Sequence, residues 1–289
     1  MVNKTFNYED SFMGVREEKH KSFFRSFKED YRLRTLTKTI TLKKGKMLDI
    51  GCGGGILTES LSYYYPRVSI FGCDVSKTAI KYARKLGSGK VKYGCIKNKR
   101  FPYRDNMFDA CICFDVLEHV PDIRFFLKEI KRVLKKNGEI LFIVPCEGEP
   151  LTFTWLFQKI NFGENLTRRY LGHIHPEFTH VGVIKLLEEN GFDVQKKYYS
   201  EHAFYQIIQF FVLFLPKLLL ELFLGENKAN EYTNSNIIKS SRKGLLVDVR
   251  NLWYRVWDFM MFYPMNWETV ILQKIPPTAW KVHVLAKKV

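Results

Sequence analysis

The sequence predicts an α/β fold, an open and mostly parallel sheet with helices on both faces. Three observations carry this. Between residues 46 and 144, short apolar and β-branched runs alternate strictly with amphipathic stretches, the pattern of strand and helix units that pair in parallel. The first of these runs leads into a glycine-rich turn and then a helix-like stretch. With 289 residues, 46% of them apolar, the chain can bury a full core, which excludes disordered and fibrous classes.

Residues 1–45 form an N-terminal helical extension, with Phe23, Phe24, Phe27 and Tyr31 at helical spacing opposite a charged face. The core follows over 46–199. Strands are predicted at 47–50, 68–73, 91–95, 110–114 and 140–144, and helices at 57–64, 78–86 and 123–134. The pattern loosens over 146–180, which is expected to form a lid. A helix over 181–189 is closed by Asn190 and Gly191, and 192–199 reads as a strand. Residues 200–278 form a hydrophobic helical insertion: 203–224 is intensely apolar, 225–242 is polar and linker-like, and 252–267 is rich in aromatics and methionine. The alternation in 279–289 predicts a final edge strand of the core.

Forty-six Lys and Arg against thirty Asp and Glu give a net charge of +16, which favours an anionic partner. The six cysteines lie mostly in strand-like runs without a C-x-x-C pair, so neither a disulfide framework nor a zinc site is expected. A reducing cytosol is the expected compartment, and the polar first ten residues give no reason to expect a cleaved secretory leader.

The most informative stretch is the turn after the first strand, where Asp49, Gly51, Gly53 and Gly55 stand in the pattern D-x-G-x-G-x-G. Glycines there let the backbone turn tightly and let a ligand approach main-chain N–H groups at a helix start, although a purely structural turn would look the same. A dinucleotide fingerprint needs a small residue where Ile56 stands, which argues against NAD and FAD.

At these residues the sequence resembles the class I S-adenosylmethionine-dependent methyltransferases. The resemblance implies a Rossmann-like three-layer sandwich and S-adenosylmethionine as cofactor. It makes Asp74, at the end of the second strand and twenty-three residues after Gly51, the ligand of the ribose hydroxyls. The alternative role for Asp74 is a cap on the following helix. At the fourth strand, the run from Phe114 through Asp115, Glu118, His119, Pro121 and Asp122 resembles the small-molecule branch, with Phe114 lining the cofactor pocket. Amino-methyltransferases of DNA bases carry an Asn/Asp-Pro-Pro-aromatic motif here, which this chain lacks. Many relatives place a carboxylate after the third strand for the adenine amino group; here Cys95 and Asn98 stand in that region instead. The implied cofactor set is Asp49, Gly51, Cys52, Gly53, Gly55, Asp74, Val75, Cys95 and Phe114. Within the family, the glycine turn and the Leu117 to Asp122 motif look most like the ubiquinone-biosynthesis O-methyltransferases.

Methyl transfer from a sulfonium is an in-line displacement that depends on positioning, and a base assists when the acceptor carries a proton. The candidate bases are His119, just past the fourth strand, and His173 and His175 in the lid; a backbone-bonded helix-entry role is the alternative for His119. His173, His175 and His180 form H-x-H-x4-H without a cysteine or carboxylate cluster, so no metal is expected.

The uncharged run from 203 to Pro216 is too short to span a bilayer. Its helical projection leaves a broad apolar face, which either packs on the sheet or lies in a membrane interface. The charge and the aromatic stretch 252–263 favour an anionic membrane surface contacted through 203–224 and 252–263, hence a cytoplasmic protein peripheral at the inner face. The expected activity is methylation, on oxygen rather than carbon or nitrogen, of a small hydrophobic or lipid-linked acceptor. Two alternatives stand beside it. One is RNA methylation, against which the fourth-strand motif counts, so nucleic acid is not an expected partner; the other is a catalytically silent cofactor-binding scaffold at the membrane.

Overall fold

The computed structural model describes residues 31–159, 171–211, 215, 219, 222–223, 225 and 267–289. Helix α1 (Tyr31–Thr39) precedes β1 (Gly45–Ile50), α2 (Ile56–Tyr64), β2 (Val68–Asp74), α3 (Lys77–Leu86), β3 (Lys92–Cys95) and β4 (Phe108–Phe114). A single 3-10 turn (Leu117–His119) leads to α4 (Ile123–Val133), β5 (Leu134–Pro145), α5 (Phe153–Lys159), α6 (His180–Glu189), β6 (Phe192–Ser200), α7 (Ala203–Gln209) and β7 (Lys281–Lys288). The sheet order is β3-β2-β1-β4-β5-β7-β6, parallel through β5.

Because side chains alternate between the faces of a strand, each central strand feeds two cores. Cys111, Cys113, Phe142 and Val144 pack with Leu127, Ile130 and Val133 of α4 and Val183 and Leu187 of α6. Ala110, Ile112, Leu141 and Ile143 pack with Leu33 and Leu36 of α1 and Leu61 of α2. Helix, sheet and helix are thus three layers, and the doubly buried strands read as continuous apolar runs. Side-chain caps set the helix starts: Ser76 accepts from the Ala79 N–H, Asp122 from Phe125 and Thr179 from Gly182. Helix α6 ends at Gly191, whose φ of +77° suits a glycine stop.

The last strand is not an edge strand. β7 lies between β5 and β6, antiparallel to both, and β6 forms the edge. Alternation shows that a segment is extended but not who its neighbours are; Lys281 to Ala286 are all buried, whereas β6 exposes Lys196 and Lys197, charges that suit an open edge. β5 also begins earlier than expected, at Leu134, and a bulge lies where it pairs with β4 between Phe108 and Ala110.

Phe23, Phe24 and Phe27 lie outside the described residues, as do 225–242 apart from Gly225 and all of 252–263. Of the insertion, the structure describes α7, scattered positions up to Gly225, and a helical stretch over 267–272. Among the described residues no helix is long and apolar enough to cross a membrane.

Candidate functional site

The carboxyl ends of β3, β2, β1 and β4 stand side by side and carry the first half of the site. Gly51, Gly53 and Gly55 all have positive φ (76°, 51° and 80°), a backbone that residues with a Cβ adopt only under strain. At Gly51 a Cβ would run into Val116, and at Gly55 into the Tyr93 hydroxyl. Over Gly53 there is open space, with nothing within 4 Å, so that stretch of backbone can be approached from outside.

Asp74 fixes the turn from the neighbouring strand. Its Oδ2 accepts the Gly53 N–H at 2.9 Å and its Oδ1 accepts the Ser76 N–H at 2.9 Å. A carboxylate has about four lone-pair positions, so both oxygens can accept further donors. The capping alternative is partly realised, since one oxygen does hold the backbone just ahead of α3.

Asp49 lies beneath the turn, 3% exposed, and accepts the Thr58 hydroxyl at 2.7 Å. Burial pushes its pKa up to about 7, the Thr58 bond opposes this, and the Asp74 charge adds to it. The Cys52 thiol is buried and likewise pushed up by burial. Val75 is exposed, Cys95 is half-buried with its thiol 3.7 Å from the Val75 carbonyl, and Phe114 closes the end of β4. Asn98, with φ +49°, belongs instead to a tight turn beyond β3.

Beside these the fold places groups to which the sequence assigned no role. Asp115 has φ +53° and its N–H donates to the Ile143 carbonyl. Its carboxylate takes the Lys281 ammonium at 2.9 Å and lies 3.9 Å from Arg32 of α1; Lys281 also reaches Glu201 at 2.9 Å. Burial works to raise the Asp115 pKa, but the Lys281 and Arg32 charges outweigh it and hold the group below its usual value. The Arg32 charge also acts on Asp49.

The second half of the site lies past β4 and β5. The His119 Nδ1–H donates to the Gly172 carbonyl at 3.0 Å, which leaves the lone pair on Nε2. The His173 Nδ1–H donates to Glu147 Oε1. The two rings meet edge to face at 5.0 Å, and His173 stacks on Trp280. Both Nε2 atoms face Glu118 Oε1, at 3.8 and 3.9 Å. Glu118 is 1% exposed, neither of its carboxyl oxygens has a hydrogen-bond partner among the described residues, and its pKa is pushed well up by burial and then by the Asp115 charge. Burial, with the His173 charge, pulls His119 down to about 4.

His175 lies between two acceptors, with Nε2 2.9 Å from the Val120 carbonyl and Nδ1 3.0 Å from Glu177, and stacks on Phe178. It fastens the 171–179 segment. His180 is held by the Ala279 carbonyl, so the H-x-H-x4-H set is dispersed. A different trio, Glu118, His119 and His173, brings one ligand atom each to within 4.8 Å of the others, close enough for one cation to touch all three. Glu118 stood beside His119 in the fourth-strand motif and Glu147 beside Cys146; Arg32 and Lys281 had no local signal.

Residues 48–142 match the family described as a methyltransferase domain. The ubiquinone biosynthesis O-methyltransferase of Pelagibacter ubique (strain HTCC1062) is 38% identical over 118 residues, 40% of this chain and 47% of that protein. Its counterpart from Coxiella burnetii (strain Dugway 5J108-111) is 32% identical over 173 residues, 55% of this chain and 72% of that protein. The chain thus spans about half the length of the first of these relatives. Among solved structures, the geranyl diphosphate C-methyltransferase of Streptomyces coelicolor A3(2), crystallised with S-adenosyl-L-homocysteine, has a TM-score of 0.52 at 12% identity, covering 90% of this chain and 76% of that one. At that identity the likeness is one of fold.

Proposed function

This chain belongs to the methyltransferase family that includes the ubiquinone-biosynthesis O-methyltransferases, and from that premise we propose that it methylates a hydroxyl of a small hydrophobic or lipid-linked acceptor at a membrane surface, using S-adenosylmethionine. The observation that carries the reading is the meeting, on one sheet edge, of an open glycine turn gripped by Asp74 and a pair of edge-packed imidazoles.

The donor, when bound, supplies an electrophilic methyl on a sulfonium. The chain holds and orients. Asp74 would accept the ribose hydroxyls, and Gly53 and Phe114 would line the nucleoside side of the pocket. Arg32, 3.9 Å from Asp115, would be the cation for the carboxylate of the amino-acid part. The acceptor hydroxyl lies against His119, whose side chain is 20% exposed against 7% for His173. A base with a pKa of about 4 suits a late proton transfer: an acceptor oxygen is strongly acidic once methylated, and Nε2 of His119 would receive its proton, the donor's sulfur leaving as a neutral thioether. Glu147 steadies His173 behind it. The membrane part of the reading is supported by the net charge of +16 and by the exposed Phe204, Ile207 and Phe211 on and just beyond α7.

The test is calorimetric titration of the wild type and an Asp74→Ala variant with S-adenosylhomocysteine. Micromolar binding weakened at least about 100-fold by the substitution is expected, since two charge-assisted hydrogen bonds are lost. No binding by folded wild type would overturn the reading. Turnover is then measured with a membrane extract as the source of the acceptor.

A further inference from the structure

Thirty consecutive residues, 75–104, contain ten Lys and Arg and no Asp or Glu, so this tenth of the chain supplies ten of the sixteen net charges. All ten are exposed. Four lie on α3, Lys90 in the loop after it, Lys92 on β3, three in the turn at 97–100 and Arg104 beyond it, all beside the edge of the sheet that β3 forms. Some are engaged: Arg84 donates to the Tyr93 carbonyl and Lys99 pairs with Asp122 at 3.4 Å.

The turn beyond β3 is built to project. Lys97 and Arg100 exchange backbone hydrogen bonds at 2.9 and 3.3 Å, and Asn98 and Lys99 between them have φ of +49° and +61°, the paired left-handed conformation of a two-residue hairpin. The tip is therefore Lys-Asn-Lys-Arg at the carboxyl end of β3, with Lys77 opening α3 beside it at the carboxyl end of β2. At the opposite edge, α7 follows the carboxyl end of β6 and exposes Phe204 and Ile207, with Phe211 just beyond. The two features share one end of the sheet and stand six strand spacings apart, roughly 29 Å. The candidate site opens between them.

Resting on the membrane reading above, we propose that the carboxyl edge of the sheet is the face turned to an anionic phospholipid surface, with hairpin 97–100 and Lys77 as its electrostatic foot and α7 as its apolar one. An anionic bilayer satisfies both features at once, headgroups taking the cations and the acyl boundary taking the phenylalanines. A nucleic acid would satisfy the cations and leave the apolar side chains in water. Docked this way, the site faces the bilayer, and an acceptor dissolved there enters without crossing water.

The experiment measures binding of the full chain to vesicles of phosphatidylcholine and phosphatidylglycerol in roughly a 7:3 ratio, to vesicles of phosphatidylcholine alone, and to a single-stranded RNA. The wild type is compared with a Lys97→Glu/Lys99→Glu/Arg100→Glu variant and with Lys43→Glu/Lys44→Glu/Lys136→Glu, the same charge change at the amino edge. The expected result is salt-sensitive binding to the anionic vesicles, weakened at least about tenfold in the hairpin variant and within about threefold of wild type in the other. Equal loss in both variants, or in neither, would overturn the foot and leave the membrane reading standing. A wild type that ignores every vesicle overturns the membrane reading and the foot together, and tighter binding to RNA overturns the choice of lipid. Titration with S-adenosylhomocysteine checks that each variant is folded. Should the hairpin variant not fold, hydrogen exchange of the wild type on anionic vesicles decides: slowed exchange over 97–100 supports the foot, and unchanged exchange overturns it.

Discussion

The His173 imidazole is held by Glu147, twenty-six residues earlier in the chain, through Nδ1 beneath the ends of β4 and β5. Both groups are buried, so the bond is shielded from competing water. It fixes the ring with Nε2 turned toward Glu118. Replacing Glu147 with Ala is expected to lower kcat by about 10- to 100-fold while leaving affinity for S-adenosylhomocysteine within about twofold, and Glu147→Gln should recover part of the loss. An unchanged kcat would remove the pair from the mechanism.

Two glycines of one turn should fail differently. At Gly51 a Cβ meets Val116, and the φ of +76° adds strain, so Gly51→Ala is expected to lower stability by about 2 kcal/mol and to depress the melting temperature. Gly53 faces open space, so Gly53→Ala should cost about 1 kcal/mol of backbone strain yet weaken S-adenosylhomocysteine more than tenfold by filling the approach. Thermal melts and titration calorimetry on the pair separate the two effects.

The Asp49 carboxyl has its pKa pushed up to about 7 by burial, from an ordinary value of 3.8. A raised carboxyl pKa favours the fold while the group is protonated and costs stability as it ionises. That contribution is full below 3.8 and is lost as the pH rises through 7. An Asp49→Asn variant cannot ionise, so its melting temperature should gain on wild type steadily between pH 4 and 8. A difference that does not vary with pH would contradict the buried, partly protonated carboxyl.

His119 and His175 should part in kinetics. With a pKa near 4, His119 is unprotonated over the neutral range, so kcat/KM of the wild type should show no acid limb near pH 6.5. His119→Ala should reduce kcat by about 100-fold. His175→Ala loses the Val120 and Glu177 bonds and the stacking on Phe178, and should cost about 1–2 kcal/mol of stability with kcat within about threefold of wild type.

Glu118 offers a direct test of the cation question. If the trio binds no metal, Glu118→Gln keeps a neutral, nearly isosteric group, and turnover should survive both the substitution and EDTA with losses below about threefold. Loss on chelation, restored by zinc or magnesium, would make Glu118, His119 and His173 ligands instead.

Most of the glycine-turn half of the site was legible as structure because its information is local. Strand, glycine turn and helix follow one another between Gly45 and Tyr64, Asp74 closes the next strand and Phe114 the one that pairs on the other side of β1. The acceptor half was legible only in its histidines. How each ring is held depends on partners from other segments: Gly172 for His119, Glu147 for His173, and Val120 with Glu177 for His175.

By itself the sequence determined the parallel α/β core and the glycine turn after its first strand, because hydrophobic period and φ preference act over a few neighbouring residues. Tertiary structure alone decided that β7 inserts between β5 and β6, and that Arg32 and Lys281, near the two ends of the chain, meet at Asp115. Such meetings are set by which strands pair and how the layers close. No local pattern encodes them, since a charge is placed by the whole packed sheet and not by its neighbours in sequence.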